Sequence, residues 1–546
     1  MKSDWTISCG GQTAKTGFMS CLPCVAAGLL LVWAPLAQPQ EKPASAPSGP
    51  WSTVVVNAQV ADGTGGPLKA ANVRINGDRI VKVGQFTPRQ DENVIDAKGL
   101  VLAPGFIDIH NHSVGAVDAG TTSALFDTHD YLDAALSKDP LAETQISQGI
   151  TTVILGPDGF SVWPIREWLE KRRKHPASLN LALMVGHATV RAQVMGTDYK
   201  RTATPAEVAK MAQLVEQGMR EGAIGLSSGL EYDVASYSAT DEVVAMAAAA
   251  ARYGGFYMTH IRDEADRSFP ALEEEIAIGE RAHIRVEHSH IKLGVIGVWG
   301  KAPEYIRVIE AARKRGVDFL ADCYPYDAWN ATIKVLVPNK QYEDPKSVEQ
   351  ALADVGGAGH VTIVSFSPNR SYEQHTIEDL AHMAGITPVA MFIGIIREGD
   401  AANTEADVIG QSMTEADIKA FYQQPWVMVA SDGGIGIGGS HPRGAGTFPR
   451  VLGVFVREKH WLTLPEAIRK MTSLPAQRLG WKDRGTIREG AVADLVLFNP
   501  DTVIDHATFA KPHELSTGIE TVFVNGTVVW RGDKATGEHP GRVLPK

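Results

Sequence analysis

Short apolar runs alternate with amphipathic segments through the middle of the chain, a pattern that predicts buried strands followed by helices. The predicted strands are Phe106–Ile109, Thr151–Leu155, Leu181–Val185, Ile224–Leu226, Gly255–Met258, Arg285–Glu287, Asp318–Ala321 and Val427–Ala430. The helical segments include Pro205–Glu221, Thr240–Tyr253, Pro303–Arg315 and Leu464–Met471. About eight β/α alternations across roughly 370 residues predict an α/β fold, the (β/α)8 TIM barrel.

Both flanks of this region carry a different pattern, in which apolar and polar residues alternate with period two around an Asn-Gly turn. Such a pattern predicts β-hairpins. The segments are Val73–Ile75 and Ile80–Val83 on one flank, and Ala493–Phe498, Thr521–Val524 and Thr527–Trp530 on the other. Because the two flanks match, we expect one small β-sandwich built from residues 51–103 and 476–546. Two unrelated hairpins are the alternative.

The barrel is then expected over residues 104–475. Residues 327–425 hold more sequence than one β/α unit needs, so the pattern predicts an insertion there that covers the barrel as a lid.

The first 50 residues have the composition of a targeting segment and a linker. Lys2 and Lys15 precede an apolar run, Cys24–Ala34, which is too short to cross a bilayer comfortably. Small residues follow it, and we therefore expect residues 1–37 to be a signal peptide and the chain to be exported to the periplasm or beyond. A retained anchor is the alternative, and Met19 is a possible start. Residues 38–50, rich in Pro and Ser, are expected to be a linker.

The composition of the chain restricts the classes of partner that it can bind. With 52 Lys and Arg against 63 Asp and Glu, the formal charge is 52 − 63 = −11, which argues against a nucleic-acid partner but permits a small-molecule substrate. Three of the four cysteines would leave with the signal peptide. The remaining Cys323 cannot form an internal disulfide, so we expect stability to come from core burial. The sequence does not specify an oligomeric state, and no stable membrane span is expected in the mature chain.

Polar residues that could bind a metal end several of the predicted strands. In Gly105–His112, His110 and His112 lie two residues apart, and period two places both side chains on one side of the strand. Four further candidates follow predicted strands and are Asp158, His260, His290 and Asp432. A barrel gathers its strand ends at one mouth, so we expect all six side chains to meet there. Imidazoles and carboxylates together suit zinc or a similar divalent ion.

At these residues the sequence resembles the amidohydrolase superfamily and, within it, the N-acyl-D-amino-acid deacylases (D-aminoacylases). The resemblance runs from about residue 52 onwards. The motifs that carry it are Gly105–His112, Gly149–Val153, Gly186–Arg191, Gly225–Leu230, Thr259–Glu264, Ser289–Lys292, Tyr324–Tyr326, Ser431–Gly433 and His441–Arg450. It implies a TIM barrel with a β-sandwich domain made from both flanks.

The resemblance also implies roles for individual residues. His110 and His112 would hold a first metal site, and His260 and His290 a second, tighter zinc site. Asp432 would be the catalytic acid/base, which takes a proton from water and delivers it to the leaving nitrogen. Lys292, Tyr324 and Arg443 would bind the substrate carboxylate, a task that suits a point charge and a bidentate guanidinium.

One position departs from the family pattern. Relatives commonly have a cysteine ligand in a Gly-Asn-Cys-Gly sequence, whereas this chain has Gly156-Pro-Asp-Gly159. A carboxylate is a harder ligand than a thiolate, so Asp158 should favour oxygen-preferring metals and a two-metal site. The number of divalent ions, one or two, and their identity stay open.

Together these features predict metal-dependent hydrolysis of the amide bond of an N-acyl-D-amino acid, or of a dipeptide with a D-residue at its carboxyl end. A cyclic-amide or dipeptide hydrolase of the same superfamily is an alternative that differs only in the pocket. A catalytically inactive scaffold is an alternative of another class. The presence of all four histidines and both aspartates argues against the scaffold.

Overall fold

The computed structural model describes residues 52–113, 134–435 and 441–546. The predicted signal peptide and linker lie outside the described residues. The strands, numbered along the chain, are β1 (Thr53–Val60), β2 (Lys69–Asn76), β3 (Arg79–Gly84), β4 (Asn93–Asp96), β5 (Val101–Pro104), β6 (Phe106–Asn111), β7 (Ile150–Leu155), β8 (Asn180–Leu183), β9 (Val185–Gly186), β10 (Leu226–Gly229), β11 (Phe256–His260), β12 (Arg285–His288), β13 (Phe319–Cys323), β14 (Trp329–Thr332), β15 (Val361–Ser365), β16 (Asp407–Gly410), β17 (Val427–Val429), β18 (Leu495–Phe498), β19 (Ile519–Val524) and β20 (Thr527–Arg531).

The α-helices of the described residues are Ala134–Lys138, Glu143–Ile146, Ile165–Lys174, His187–Met195, Pro205–Glu221, Thr240–Arg252, Ser268–Ala282, Ala302–Lys314, Pro345–Asp354, Ile377–Ala384, Pro388–Ala401, Glu415–Tyr422, Arg443–Arg450, Leu464–Met471 and Ser473–Leu479. Short 3-10 turns occur at Ala235–Tyr237, Ile296–Val298, Ile333–Leu336, Ala358–His360 and Arg370–Tyr372, and a π-helix at Val451–Glu458.

Parallel strands form a closed barrel in the centre of the molecule. One run has the order β17-β13-β12-β11-β10-β9 and the other β6-β7-β8. Only Met184 separates β8 from β9, and its backbone N–H donates to the Leu155 carbonyl at 2.9 Å, so the two act as one barrel strand. A parallel bridge between Asn111 and Gly433 joins β6 to the end of β17 and closes the ring. The predicted (β/α)8 fold class is confirmed.

The helix Pro205–Glu221 shows how the sequence determines where a helix of the outer layer begins and ends. Thr204 and Glu207 form a capping box, Pro205 occupies the first turn, and Gly222 ends the helix with a φ of 119°, each in the position that favours a helix terminus. The helix packs close to the barrel at Gly218, where an added Cβ would lie 2.5 Å from the Val185 side chain.

Strands from both flanks share one eight-stranded sheet, with the order β20-β19-β18-β5-β1-β2-β3 and β4 beside β1. Its two flanks join where β18 pairs antiparallel with β5, from Leu495 opposite Pro104 to Phe498 opposite Val101. The sheet folds back on itself, because Arg79 of β3 bridges to Val492 just before β18. The enclosed apolar core contains residues of both flanks, including Val73, Leu102, Leu495, Leu497 and Phe523. The two unrelated hairpins of the alternative are therefore not observed.

The stretch between β13 and β17, where the insertion is predicted, contains a small antiparallel sheet of order β14-β16-β15. The residue bounds predicted for the individual domains stay predictions. Within the described ranges no single helix is long and apolar enough to cross a bilayer; the helices Ile377–Ala384 and Pro388–Ala401 reach the required length only together and are bent by 98°.

Candidate metal centre

The six predicted ligands all lie at the carboxyl ends of barrel strands. His110 belongs to β6, with His112 directly after it, and His260 is the last residue of β11. The loops after β7, β12 and β17 carry Asp158, His290 and Asp432 in turn. The parallel order of the barrel therefore brings residues from five strands to one mouth.

Four of these side chains form one group. The candidate ligand atoms of His110, His112, Asp158 and Asp432 all lie within 4.8 Å of one another. The Asp432 Oδ1 atom is 3.2 Å from His110 Nε2 and 3.0 Å from His112 Nε2. The Asp158 Oδ2 atom is 3.4 Å from His112 Nε2.

Asp158 also belongs to a second group, with His260 and His290. Its Oδ2 atom lies 3.7 Å from His290 Nε2, and His290 Nε2 lies 3.0 Å from His260 Nδ1. The structure thus brings all six predicted side chains together, with Asp158 between the two groups. The roles assigned to them stay predictions.

Three of the six sit on left-handed backbone, with φ of 52° at Asp158, 34° at His290 and 49° at Asp432. Non-glycine residues adopt this region rarely and at a cost in energy. Close packing holds Asp158 in this conformation, because its carbonyl oxygen lies only 2.4 Å from where a Cβ on Gly229 would be. The end of β10 must therefore be glycine for the Asp158 loop to approach.

A buried acid ties β6 to the loop that carries Asp432. Asp108 accepts hydrogen bonds from the Ser431 backbone N–H at 2.8 Å, the Ser431 hydroxyl at 2.5 Å and the Asn111 amide at 2.8 Å. The Asp432 N–H donates to the His110 carbonyl at 3.0 Å. These bonds fix Asp432 opposite His110.

The charges in the centre are strongly coupled. Burial by itself would raise the pKa of Asp158, but the His110 imidazole and two further histidines hold it well below its usual range. At Asp432 burial is likewise outweighed, chiefly by the Arg443 guanidinium, and the pKa is again held well below its usual range. Burial and the Lys292 charge would lower the pKa of His290, yet nearby carboxylates raise it to about 9.

Two atoms of the centre are left without hydrogen bonds. In the described part of the chain, His110 Nε2 and Asp158 Oδ1 are buried and have no hydrogen-bond partner, an arrangement that costs free energy unless another group satisfies them. Imidazole nitrogens and carboxylate oxygens at these separations are the donor set of a divalent cation such as zinc. The residues present therefore fit a metal.

The three predicted substrate-binding residues line the same cavity, but two of them have acidic partners. Lys292 Nζ lies 2.6 Å from Glu264 Oε2, and Arg443 Nη1 lies 2.5 Å from Asp432 Oδ2. Arg443 also stacks over the Tyr324 ring, 5.0 Å from its centroid. The Tyr324 hydroxyl is buried with no hydrogen-bond partner in the described residues, and burial raises its pKa well above the ordinary value, so it remains a donor.

The cavity has a volume of about 930 Å³ and extends from the metal ligands to the insertion, whose Trp329, Leu336 and Tyr342 line its wall. The space is large enough for a small-molecule substrate, for which pockets of roughly 300–1,000 Å³ are usual.

Three acids next to the histidines are absent from the predicted site. Glu231 Oε2 lies 2.8 Å from His260 Nε2, Glu264 Oε1 lies 3.2 Å from His290 Nδ1, and Asp322 Oδ2 lies 3.4 Å from His110 Nδ1. Glu264 ends the Thr259–Glu264 motif, and Glu231 directly follows Gly225–Leu230, so position beside a motif was the available signal. Each acid faces one ring nitrogen of its histidine, and the other ring nitrogen faces the centre. That other nitrogen lies next to His290 in His260, next to His260 and Asp158 in His290, and next to Asp432 in His110.

A parallel barrel whose mouth gathers imidazoles and carboxylates around a common point defines the class of metal-dependent barrel hydrolases. A family model described as "Amidohydrolase family" matches residues 93–530. The N-acyl-D-aspartate deacylase of Alcaligenes xylosoxydans xylosoxydans is 35% identical over 518 residues, which cover 90% of this chain and 94% of that protein. The chain belongs to the amidohydrolase family and, within it, to the N-acyl-D-amino-acid deacylases.

Two solved structures are similar over 90% of this chain and 99% of theirs. One, a D-aminoacylase structure concerned with the functional role of the binuclear metal centre, is 32% identical with a TM-score of 0.76. The other is the N-acyl-D-glutamate deacylase of Bordetella bronchiseptica complexed with zinc and a phosphonate inhibitor, 28% identical with a TM-score of 0.78. The β-sandwich and barrel architecture is common to these neighbours.

Proposed function

We propose that this protein hydrolyses the amide bond of N-acyl-D-amino acids, or of dipeptides with a D-residue at the carboxyl end, with the help of a divalent cation. The observation that carries the proposal is the meeting of four histidines and two aspartates beside Arg443 and Lys292, in a cavity of substrate size. The names of the similar deacylases support the choice of substrate.

The cation would be held by the two groups that share Asp158. When bound, it supplies Lewis-acid polarisation of an amide carbonyl and lowers the pKa of water. Zinc is the identity that the histidines favour, and the zinc in the similar glutamate deacylase supports it. The carboxylate of Asp158, in place of the thiolate common in relatives, also allows the site to bind harder ions such as Mn²⁺.

Asp432 is suited to carry the proton. Its low pKa keeps it a carboxylate at neutral pH, so it can accept a proton from the attacking water. Its Oδ1 atom faces the histidines, whereas its Oδ2 atom is held by Arg443. A carboxylate fixed at one oxygen has its other oxygen directed at the reacting centre, from where it can pass the proton to the departing nitrogen.

Lys292, Tyr324 and Arg443 are suited to hold the substrate carboxylate. Both cations are largely buried and already pair with carboxylates, Glu264 and Asp432. A guanidinium has five N–H donors and an ammonium three, so each cation can also donate to an incoming carboxylate, and the Tyr324 hydroxyl can donate to it as well. Binding the substrate carboxylate determines where the amide bond lies along the cavity.

The test compares wild type with Asp432→Asn on paired N-acetyl-D- and N-acetyl-L-amino acids, together with metal analysis of each protein. We expect wild type to hydrolyse the D-substrates, and Asp432→Asn to lose about 10²–10⁴-fold in kcat, the usual contribution of a positioned acid/base. The control is Asp354→Asn, which removes a carboxylate from the same cavity wall and should keep wild-type kcat.

Deacylation by metal-loaded Asp432→Asn near the wild-type rate would show that the assignment of Asp432 is wrong. Hydrolysis of cyclic amides in preference to N-acyl-D-amino acids would replace the proposed substrate with the cyclic-amide alternative. No turnover of either class by the metal-loaded wild type would favour the inactive scaffold.

We also propose export, for which the apolar run near the start of the sequence is the support. Sequencing the N-terminus of protein recovered from outside the cytoplasm tests it. Residue 38 or one close to it should come first, and a protein that keeps residues 1–37 and stays in the cytoplasm would contradict export.

A further inference from the structure

The two ring nitrogens of His260 face different surroundings. Nδ1 lies 3.2 Å from the Tyr232 hydroxyl and 3.0 Å from His290 Nε2, which is itself 3.7 Å from Asp158 Oδ2. Nε2 lies 2.8 Å from Glu231 Oε2. The ring is only 3% exposed, so these neighbours decide which of its two nitrogens carries the hydrogen.

A neutral imidazole has one N–H donor and one lone pair. The Glu231 carboxylate can only accept, so Nε2 must carry the hydrogen and Nδ1 must carry the lone pair. We propose that Glu231 is a positioning residue that fixes this tautomer and the ring orientation of His260, so that Nδ1 is presented to a cation bound by Asp158, His260 and His290. The inference rests on the cation of the proposed function, because a ligating histidine typically donates its other N–H in this manner.

Glu231 is itself held in place. Its other oxygen, Oε1, accepts from the Glu264 backbone N–H at 3.4 Å, and its side chain is 10% exposed. One residue earlier, the Leu230 N–H donates to the His260 carbonyl at 3.0 Å, which fixes the loop after β10 against the end of β11. Over the described ranges no lysine or arginine lies within 4 Å of the Glu231 carboxylate, so His260 is its principal partner.

A different arrangement would place a further cation directly between Glu231, His260 and Glu264, whose candidate ligand atoms also lie within 4.8 Å of one another. His260 cannot serve both places, because one neutral imidazole offers one lone pair. His290 Nε2, which His260 Nδ1 faces at 3.0 Å, is also 3.7 Å from Asp158 Oδ2, whereas Glu264 Oε2 is already 2.6 Å from Lys292 Nζ. The geometry therefore favours a positioning role for Glu231 over direct ligation.

The experiment measures cation affinity rather than turnover. Wild type, Glu231→Ala, Glu231→Gln and the cavity-wall control Asp354→Asn are stripped of metal and titrated with Zn²⁺ against a chromophoric chelator. Co²⁺-loaded samples are compared by their visible absorption. We expect Glu231→Ala to bind one cation about 10–100-fold more weakly, as loss of such a partner usually does, with an unchanged number of ions at saturation and an altered Co²⁺ spectrum.

Glu231→Gln should recover most of the affinity, because its amide oxygen can still accept the Nε2 hydrogen, and Asp354→Asn should match wild type. If Glu231→Ala does not fold, Glu231→Asp, whose carboxylate stops short of His260, takes its place and is expected to bind as weakly.

Three results would overturn the inference. They are unchanged affinity in Glu231→Ala, an equal loss in Glu231→Gln, and the disappearance of one equivalent of metal at saturation, which would make Glu231 a direct ligand of a separate ion. These are distinguishable from failure of the proposed function, because a wild type that binds no divalent cation would fail before any variant is compared.

Discussion

Asp158 is shared by both groups of candidate ligands, so its side chain affects the chemistry of the whole centre. Its position on left-handed backbone, between two glycines of positive φ, directs a short side chain into the barrel mouth. Its Oδ2 atom lies near histidines of both groups and its Oδ1 atom has no hydrogen-bond partner among the described residues, so the carboxylate has two hard oxygens to offer, whereas a thiolate offers a single soft sulfur atom.

Exchanging this carboxylate for a thiolate should change which metal the protein prefers. We expect Asp158→Cys to raise the ratio of Zn²⁺ to Mn²⁺ affinity by about tenfold or more, equivalent to ~1.4 kcal/mol, because sulfur is the softer ligand. Competition titrations of the metal-free protein measure the ratio. Asp158→Asn is the control, since it keeps oxygen but removes charge and should weaken both ions alike. An unchanged ratio in Asp158→Cys would mean that Asp158 does not contact the cation.

The six candidate ligands could be predicted from the sequence because each follows a recognisable strand or motif. The acids behind the histidines could not. Glu231 and Glu264 lie beside or within motifs and Asp322 lies near the end of β13, but a carboxylate is usually solvated, so position in the sequence does not indicate burial against an imidazole. Only the folded barrel shows that each faces an imidazole. The pairing of Lys292 and Arg443 with acids was hidden for the same reason.

At the scale of elements, the ends of β7 and β10 approach so closely that side-chain volume there is fixed. A Cβ on Gly229 would lie 2.4 Å from the Asp158 carbonyl oxygen and 2.6 Å from the Tyr232 ring. The first of these neighbours is backbone and cannot move aside without displacing Asp158.

We expect Gly229→Ala to weaken cation binding and to lower the free energy of unfolding by about 1–3 kcal/mol, the usual cost of overpacking. Denaturant unfolding and metal titration measure the two effects. Gly394→Ala is the matched control. It lies in the helix Pro388–Ala401 with no neighbour within 4 Å of the added Cβ, and it should leave metal binding unchanged and stabilise by up to about 1 kcal/mol. Equal behaviour of the two variants would show that the approach at Gly229 is not tight.

The barrel elements could be predicted because their apolar runs are local signals. The strands Phe106–Ile109 and Gly255–Met258, for example, lie within the observed β6 and β11 save for Gly255. The small sheet of the insertion could not, because β14, β15 and β16 are separated by long segments and β16 pairs between the other two. Such pairing depends on contacts distant in sequence, for which a single chain gives no pattern.

At the scale of the whole molecule, a cation at the mouth would connect opposite sides of the barrel. Its candidate ligands come from β6 and from the ends of β7, β11, β12 and β17. Because the unfolded chain scatters these residues, such a cation would bind the folded form selectively and stabilise it.

Metal removal should therefore destabilise the protein as a whole. With a free ion at about 1,000 times its dissociation constant, the loss on chelation is about 4 kcal/mol. Thermal unfolding in chelator, and again after Zn²⁺ is restored, measures the change, with metal analysis of both samples. Asp354→Asn should respond as wild type does. A midpoint that stays constant although the metal has left would contradict a cation shared between strands.

The closure of the ring between Asn111 and Gly433 has a consequence for biosynthesis. His110 leaves the ribosome more than three hundred residues before Asp432, yet the two must become neighbours before the set of ligands is complete. A nascent chain can therefore offer only fragments of the site, and selection among the available ions is made by the finished barrel. The barrel can then select only among the ions present where its last strand docks.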